Sequence, residues 1–184
     1  MPAALNFQPF PELQTNRLVL RRLTVDDRAA IFFLRSDETV LRYVHKEPAV
    51  SVQEAVDFIH RIHTNADTGE GILWGIVQQD NPAVVTGTIC LWNMQPENYR
   101  AEVGFALHPD HWRKGIMKEA LLAVIGYAFA TLQLHSLEAR IDPDNLASAA
   151  LLESAGFVRE GYFREDFCFR GRFMDTAVYS LLHR

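Results

Sequence analysis

The sequence predicts a mixed α/β domain: a twisted, mostly antiparallel sheet of about seven strands with one parallel pair, and helices on both faces. Three observations carry this expectation. The middle of the chain holds the runs "ILWGIVQ", "VVTGTICLW" and "RAEVGFAL", rich in β-branched and aromatic residues and separated by turn-rich segments, as in an antiparallel meander. The third of these runs, a long helical pattern and the run "SLEARID" form one β-α-β unit, which requires a parallel pair. Two further strand-like runs flank "RGR" near the C-terminus.

Taken in order, "RLVLRRL" (17–23) reads as a strand. Thr24 followed by Asp27 resembles a capping box and opens a helix over 25–35; Ser51 with Glu54 supplies the full box for a helix over 52–65. The meander strands cover 72–78, 84–92 and 100–107, with "QDNPA" and "MQPENY" as connections. A helix over 116–132 is apolar around most of its circumference and is therefore expected to be buried. Strand 136–142, helix 146–154 and strands 162–169 and 173–181 complete the chain. Without a repeat, low-complexity tract or linker, residues 1–184 read as a single domain.

Composition narrows the function classes. Hydrophobic residues make up 48% and charged residues 22%, the profile of a globular protein. The net charge of −5 argues against a nucleic-acid binder, which normally needs a basic face. No apolar run approaches ~18 residues, and "MPAALNFQPFPELQ" lacks the pattern of a signal peptide, so no membrane association is expected. Cys90 and Cys168 form neither a disulfide framework nor metal spacing and read as buried small hydrophobes in a reducing, cytoplasmic compartment. His60 with His63, and His108 with His111, lack a third ligand, so no metal is expected.

The stretch "LHPDHWRKGIMKEA" (107–120) is the most informative. A strand ends, two cations and a glycine follow, and a helix begins, which is how a backbone anion site is built. A Walker loop would need Lys-Ser/Thr after the glycine, and a dinucleotide fingerprint would need further glycines; "RKGIMK" has neither. The N–H groups from Arg113 to Met117 could converge on a diphosphate, with charge from Arg113 and Lys114; an ordinary loop with solvated cations fits the turn equally well.

With "AEVGFALHP" upstream and "NLASAALLESAGF" downstream, the ordered motifs resemble the GNAT family of acetyl-CoA-dependent N-acetyltransferases, closest to the branch of ribosomal-protein N-terminal acetyltransferases. The resemblance runs from "TNRLVLRRLTVDD" to "GRFMDTAVYSLL". It implies a GNAT-type sheet whose parallel strands 100–107 and 136–142 splay apart. It further implies that the backbone of Phe105, Ala106 and Leu107 bonds the pantetheine arm, and that the turn Trp112, Arg113, Lys114, Gly115, Ile116 and Met117 holds the diphosphate. Asn145 and Ser148 would lie along the cofactor arm. Trp112 and Met117 depart from the family's usual Q/R-x-x-G-x-G/A turn, and Leu152 stands where many members carry a Tyr general acid.

Acetyl transfer to an amine needs a neutral nucleophile, a donor for the oxyanion and a proton for the leaving sulfur. Glu102, a carboxylate in a central strand, and Glu160, similar to a carboxylate of the ribosomal-protein branch, are the candidate bases. Ser148 matches that branch's N-x-x-S serine and is the candidate proton donor, with a helix cap as its ordinary alternative; Tyr162 is a weaker acid candidate. Trp74, Trp92 and Phe105 read mainly as core, while Phe32, Phe33, Tyr43 and Trp92 are candidates for the acceptor pocket's border. The resulting expectation is direct transfer from acetyl-CoA to the N-terminal amine of a protein or peptide, or to a small amine. The alternative is a silent acyl-CoA sensor or interaction module. The sequence leaves a homodimer open.

Overall fold

The computed structural model describes residues 6–184, so the first residues of the N-terminal segment read above lie outside it. Eight strands form one sheet: β1 (Leu13–Gln14), β2 (Leu18–Arg21), β3 (Ile72–Gln78), β4 (Asn81–Gln95), β5 (Arg100–Leu107), β6 (Ser136–Ile141), β7 (Val158–Phe169) and β8 (Arg172–Leu182). Their order is β1-β2-β3-β4-β5-β6-β8-β7, and every pairing is antiparallel except β5 with β6. The eighth strand, β1, is absent from the sequence reading because two residues carry no period to detect.

The period-2 alternation assigns each sheet face to its helices. Leu18, Leu20, Ile72, Trp74, Ile76, Ile89 and Val103 point to one face. There they pack against α4 (Ile116–Ala130) and Leu152 of α5 (Leu146–Ser154). Val19, Leu73, Val77 and Val85 point to the other, against α1 (Arg28–Ser36) and α3 (Val52–Thr68). As expected of its apolar circumference, α4 is central, with Ala120, Leu121, Val124 and Ala128 fully buried.

Local chemistry sets the helix ends. The Thr24–Asp27 box is present, but it opens a 3-10 turn over Val25–Asp27, and α1 begins only at Arg28. Asp37 then caps a short helix, α2 (Glu38–Leu41), which the sequence reading missed; its carboxylate accepts from Thr39 N (2.9 Å) and Val40 N (3.0 Å). Ser51 caps α3, which runs three residues past its expected end to Gly69, whose φ of 78° forms a left-handed stop.

Three expectations need correction. β4 starts at Asn81, so the "QDNPA" turn is confined to its first residues. β7 starts at Val158, four residues early, which puts Glu160 in a strand rather than a loop. Cys168 is exposed, because it lies on the outermost strand; Cys90 is partly buried, and burial pushes its thiol up to about 11. Among the described residues, no helix is long and apolar enough to cross a membrane.

The feature that positions the site is where the parallel ladder stops. β5 and β6 pair only through Arg100↔Ser136, Ala101↔Leu137 and Glu102↔Glu138. Beyond Glu102, β5 keeps its partner β4 as far as Leu107 but has none on the β6 side. The two strands diverge there, leaving an open backbone edge.

Candidate active site

The turn after β5 is shaped by two left-handed residues, Arg113 (φ 59°) and Gly115 (φ 74°). The second is a conformation that glycine adopts without strain and other residues resist. Arg113 N, Lys114 N and Gly115 N have no backbone acceptor among the described residues. The N–H groups of Ile116, Met117 and Lys118 belong to the first turn of α4, whose first backbone bond runs from Glu119 N to Gly115 O (3.1 Å). Up to six donors therefore line one concave turn at the positive end of a helix dipole, a geometry that fits a diphosphate.

The two departures from the family pattern leave this arrangement intact. The Met117 side chain packs into the α4 core, leaving its amide on the turn. Trp112 points back toward β5, and its indole donates to Leu107 O (2.7 Å).

Arg17 braces the turn from behind and is a positioning residue that the sequence reading missed. Its guanidinium donates to Glu119 Oε2 (2.6 Å) and Lys114 O (3.1 Å), and Glu119 also accepts from Arg17 N (2.9 Å) and Thr15 Oγ1 (2.6 Å). Arg17→Ala is expected to weaken CoA binding about fivefold to tenfold, equivalent to roughly 1 kcal/mol of lost turn order. Unchanged affinity by calorimetry would contradict the brace.

The open edge follows from strand alternation. His108 N donates to Thr86 O (2.8 Å), and Ala106 lies opposite Thr88 two residues earlier, so the backbone groups of Ala106 face β4. Phe105 and Leu107 instead direct theirs toward the gap left by β6. Of the three residues expected to bond a pantetheine arm, Phe105 and Leu107 remain as backbone candidates, with Leu107 O already shared by Trp112. Ala106 is corrected to a wall residue.

Glu102 sits at the root of the splay and is buried, with 6% of its surface exposed. Burial, chiefly, pushes its carboxyl up to about 7, assisted by the negative charge of Glu138 across the parallel pair and opposed by a long hydrogen bond from Asn93 Nδ2 (3.5 Å). Arg100 is taken up by Glu138, so it does not neutralise Glu102. Asn93, in a left-handed kink (φ 47°) of β4, was not singled out from sequence; an asparagine inside an otherwise β-prone run is the signal that could have found it.

Across the gap, Asn145 caps α5, its Oδ1 accepting from Ser148 N (3.1 Å). Asn145, not Ser148, is therefore the helix cap. Among the described residues its hydroxyl makes no hydrogen bond. Leu152 is fully buried in the core.

Glu160 is not brought together with Glu102. It lies exposed at a bulge between Arg159 and Gly161 on β7, three strands from β5, or roughly 14 Å across the sheet. Tyr162 hydrogen-bonds Asp175, which raises its pKa and makes it a poor acid. Of the proposed border aromatics, Phe33 stacks on His108 (4.2 Å between centroids), while Trp92, expected mainly in the core, is 48% exposed beside Glu102.

Comparisons with known proteins bear on the family and the fold. A family model described as an acetyltransferase (GNAT) domain matches residues 17–158. The chain is 36% identical to the uncharacterized N-acetyltransferase YoaA of Bacillus subtilis (strain 168) over 173 residues, covering 94% of this chain and 97% of that protein. It is 28% identical to the [ribosomal protein uS5]-alanine N-acetyltransferase of Escherichia coli (strain K12), covering 94% and 91% of the two chains. Among solved structures, spermidine N-acetyltransferase from Vibrio cholerae in complex with CoA and spermine superposes with a TM-score of 0.79 at 25% identity, covering 91% of this chain and 96% of that one. A sheet that parts beyond Glu102, a donor-lined turn at α4 and a match over most of the chain lead to one assignment: the chain belongs to the GNAT family of N-acetyltransferases.

Proposed function

We propose that this N-acetyltransferase moves acetyl from acetyl-CoA to the N-terminal amine of a protein or peptide by direct attack, with Glu102 as general base. The observation that carries this reading is the placement of Glu102, a buried carboxyl with a pKa of about 7, at the point where β5 loses its parallel partner. A base near 7 suits an α-amino group of pKa ~8, whereas an alkylamine near ~10.4 would need far more help to lose its proton. The turn amides from Arg113 to Lys118 would hold the diphosphate, the open edge at Phe105 and Leu107 the pantetheine arm, and Asn145 would contact that arm through its remaining amide N–H groups. Acetyl-CoA supplies the activated acyl group. The two free thiols, Cys90 and Cys168, support a cytoplasmic location.

Ser148, with its unengaged hydroxyl beside the gap, would donate to the departing sulfur. Ser148→Ala is expected to lower kcat about tenfold without shifting Tm, whereas Asn145→Ala removes the true cap and costs about 1 kcal/mol of stability. Loss of stability in the Ser148 variant with full turnover would contradict this division of roles.

The test is thiol release from acetyl-CoA, followed with DTNB, against alanine-leading peptides and small amines. Peptide-dependent release that disappears when the N-terminus is blocked is expected. CoA binding without release for any amine would instead identify a silent sensor.

A further inference from the structure

Between α1, α2, the segment 44–47 and strands β4 and β5 lies a cavity of about 110 Å³. Thr88 and Ala106 form its strand wall, directly opposite one another in register; Ala106 shares its sheet face with Glu102, four residues away. Ile31, Leu34, Val40 and Phe58 make the apolar wall.

The charges around this cavity are unbalanced. Arg35, Lys46 and Glu47 line it. Glu47 is bound to Arg170 through two hydrogen bonds (3.0 and 2.5 Å), so the cavity's one acid is neutralised from outside. Among the described residues, neither Arg35 nor Lys46 forms an ion pair. The Arg35 guanidinium lies 4.1 Å over the Phe58 ring, with Arg61 over the same ring at 5.3 Å. Burial and the neighbouring Arg61 both disfavour its charge, with Glu54 as a weaker counterweight. The carbonyl of Arg35 accepts from Ala49 N (2.8 Å), which closes the segment over the cavity. A half-buried cation left without an anion in a pocket walled mainly by apolar side chains is costly unless a ligand supplies that anion.

Resting on the acetyltransferase reading above, we propose that this cavity is the acceptor's specificity site, and that Arg35, seconded by Lys46, receives a carboxylate carried close to the acceptor's amine. The amine then points along the β5 face toward Glu102, and the acceptor's apolar part fills the wall formed by α1, α2 and Phe58 of α3. A carboxylate near a primary amine is supplied by an acidic residue close to a peptide N-terminus or by a free amino acid. Polycationic amines carry the wrong charge for this pocket and are rejected by it.

Steady-state kcat/KM is measured for five probes. These are an alanine-leading hexapeptide with Asp in its second and third positions, its Asn counterpart, L-leucine, L-leucinamide and spermidine. The Asp peptide is expected to exceed the Asn peptide about tenfold or more, chiefly through KM, the range of a charge-assisted hydrogen bond. Arg35→Gln brings that ratio to within about twofold, Arg35→Lys retains part of it, and Lys46→Gln, at an exposed position, lowers it about threefold without affecting folding. The leucine pair is read as the change in its ratio between wild type and Arg35→Gln, so that the differing amine basicities cancel; a change there but not in the peptides identifies the free amino acid as the source. Equal rates for carboxylate-bearing and neutral partners in the wild type, ratios that both Arg35→Gln and Lys46→Gln leave unmoved, or a preference for spermidine would overturn the assignment while leaving acetyl transfer intact. Thiol release with none of the probes would overturn the transferase reading itself.

Discussion

Gly115→Pro is expected to weaken CoA binding by at least about 100-fold. Proline holds φ near −65°, whereas Gly115 adopts 74°, so the substitution redirects the chain where the amides converge and deletes one of them. Gly115→Ala separates the two effects. It keeps the N–H but imposes left-handed strain of roughly 1–2 kcal/mol, and its Cβ would stand 3.4 Å from the Arg17 guanidinium, an ordinary contact. That strain is present in the free and the bound protein alike, so a loss of only a few-fold in affinity is expected for alanine. Calorimetric titration with CoA measures both, with circular dichroism to verify that α4 remains folded. Wild-type heat from the proline variant would show that the diphosphate is held elsewhere.

Glu102→Gln is expected to reduce kcat by 10²- to 10⁴-fold, the range for a missing general base, while CoA affinity stays near wild type. The same substitution should stabilise the protein. The carboxyl titrates at about 7 in the folded chain against an ordinary value of 4.5, because burial favours the neutral acid. Between those values the folded state holds a proton that the unfolded chain has released, so stability falls as pH rises, on the order of 3 kcal/mol by the time pH passes 7. Glutamine carries no such liability. Its Tm should exceed wild type at pH 8 and approach it at pH 5. A variant less stable than wild type at pH 8 would mean that the carboxylate is ionised and satisfied in the fold.

The parts of the site legible in the sequence are those whose signal is local. A strand, a cationic glycine turn and a helix are contiguous in "AEVGFALHPDHWRKGIMKEAL", and Glu102 stands out because a carboxylate in a central strand contradicts its surroundings. What escaped is long-range or geometric. Arg17 meets Glu119 across 102 positions, and nothing in "TNRLVL" marks it as a brace. Arg35 reads as an ordinary helix cation until α2 and the segment 44–47 close around it. Asn145 and Ser148 are both capping residue types three positions apart, and only backbone geometry shows which one caps. The family resemblance implies backbone contacts from Phe105, Ala106 and Leu107 alike, yet alternation along a strand turns the backbone of Ala106 the other way. Trp92 and Cys168 are strand residues whose exposure hydropathy does not reveal; that of Cys168 follows from the outermost position of β7.

The claim that joins these features is that the root of the β5–β6 splay places a proton-accepting carboxylate beside the acyl donor. It is tested most directly by the pH dependence of kcat/KM for a peptide acceptor at saturating acetyl-CoA, in the wild type and in Glu102→Gln. The account predicts a rise through an apparent pKa near 7 in the wild type, separate from the amine's own titration near ~8, and the disappearance of that lower limb in the variant. A limb near 7 that persists unchanged when Glu102 is glutamine would contradict it.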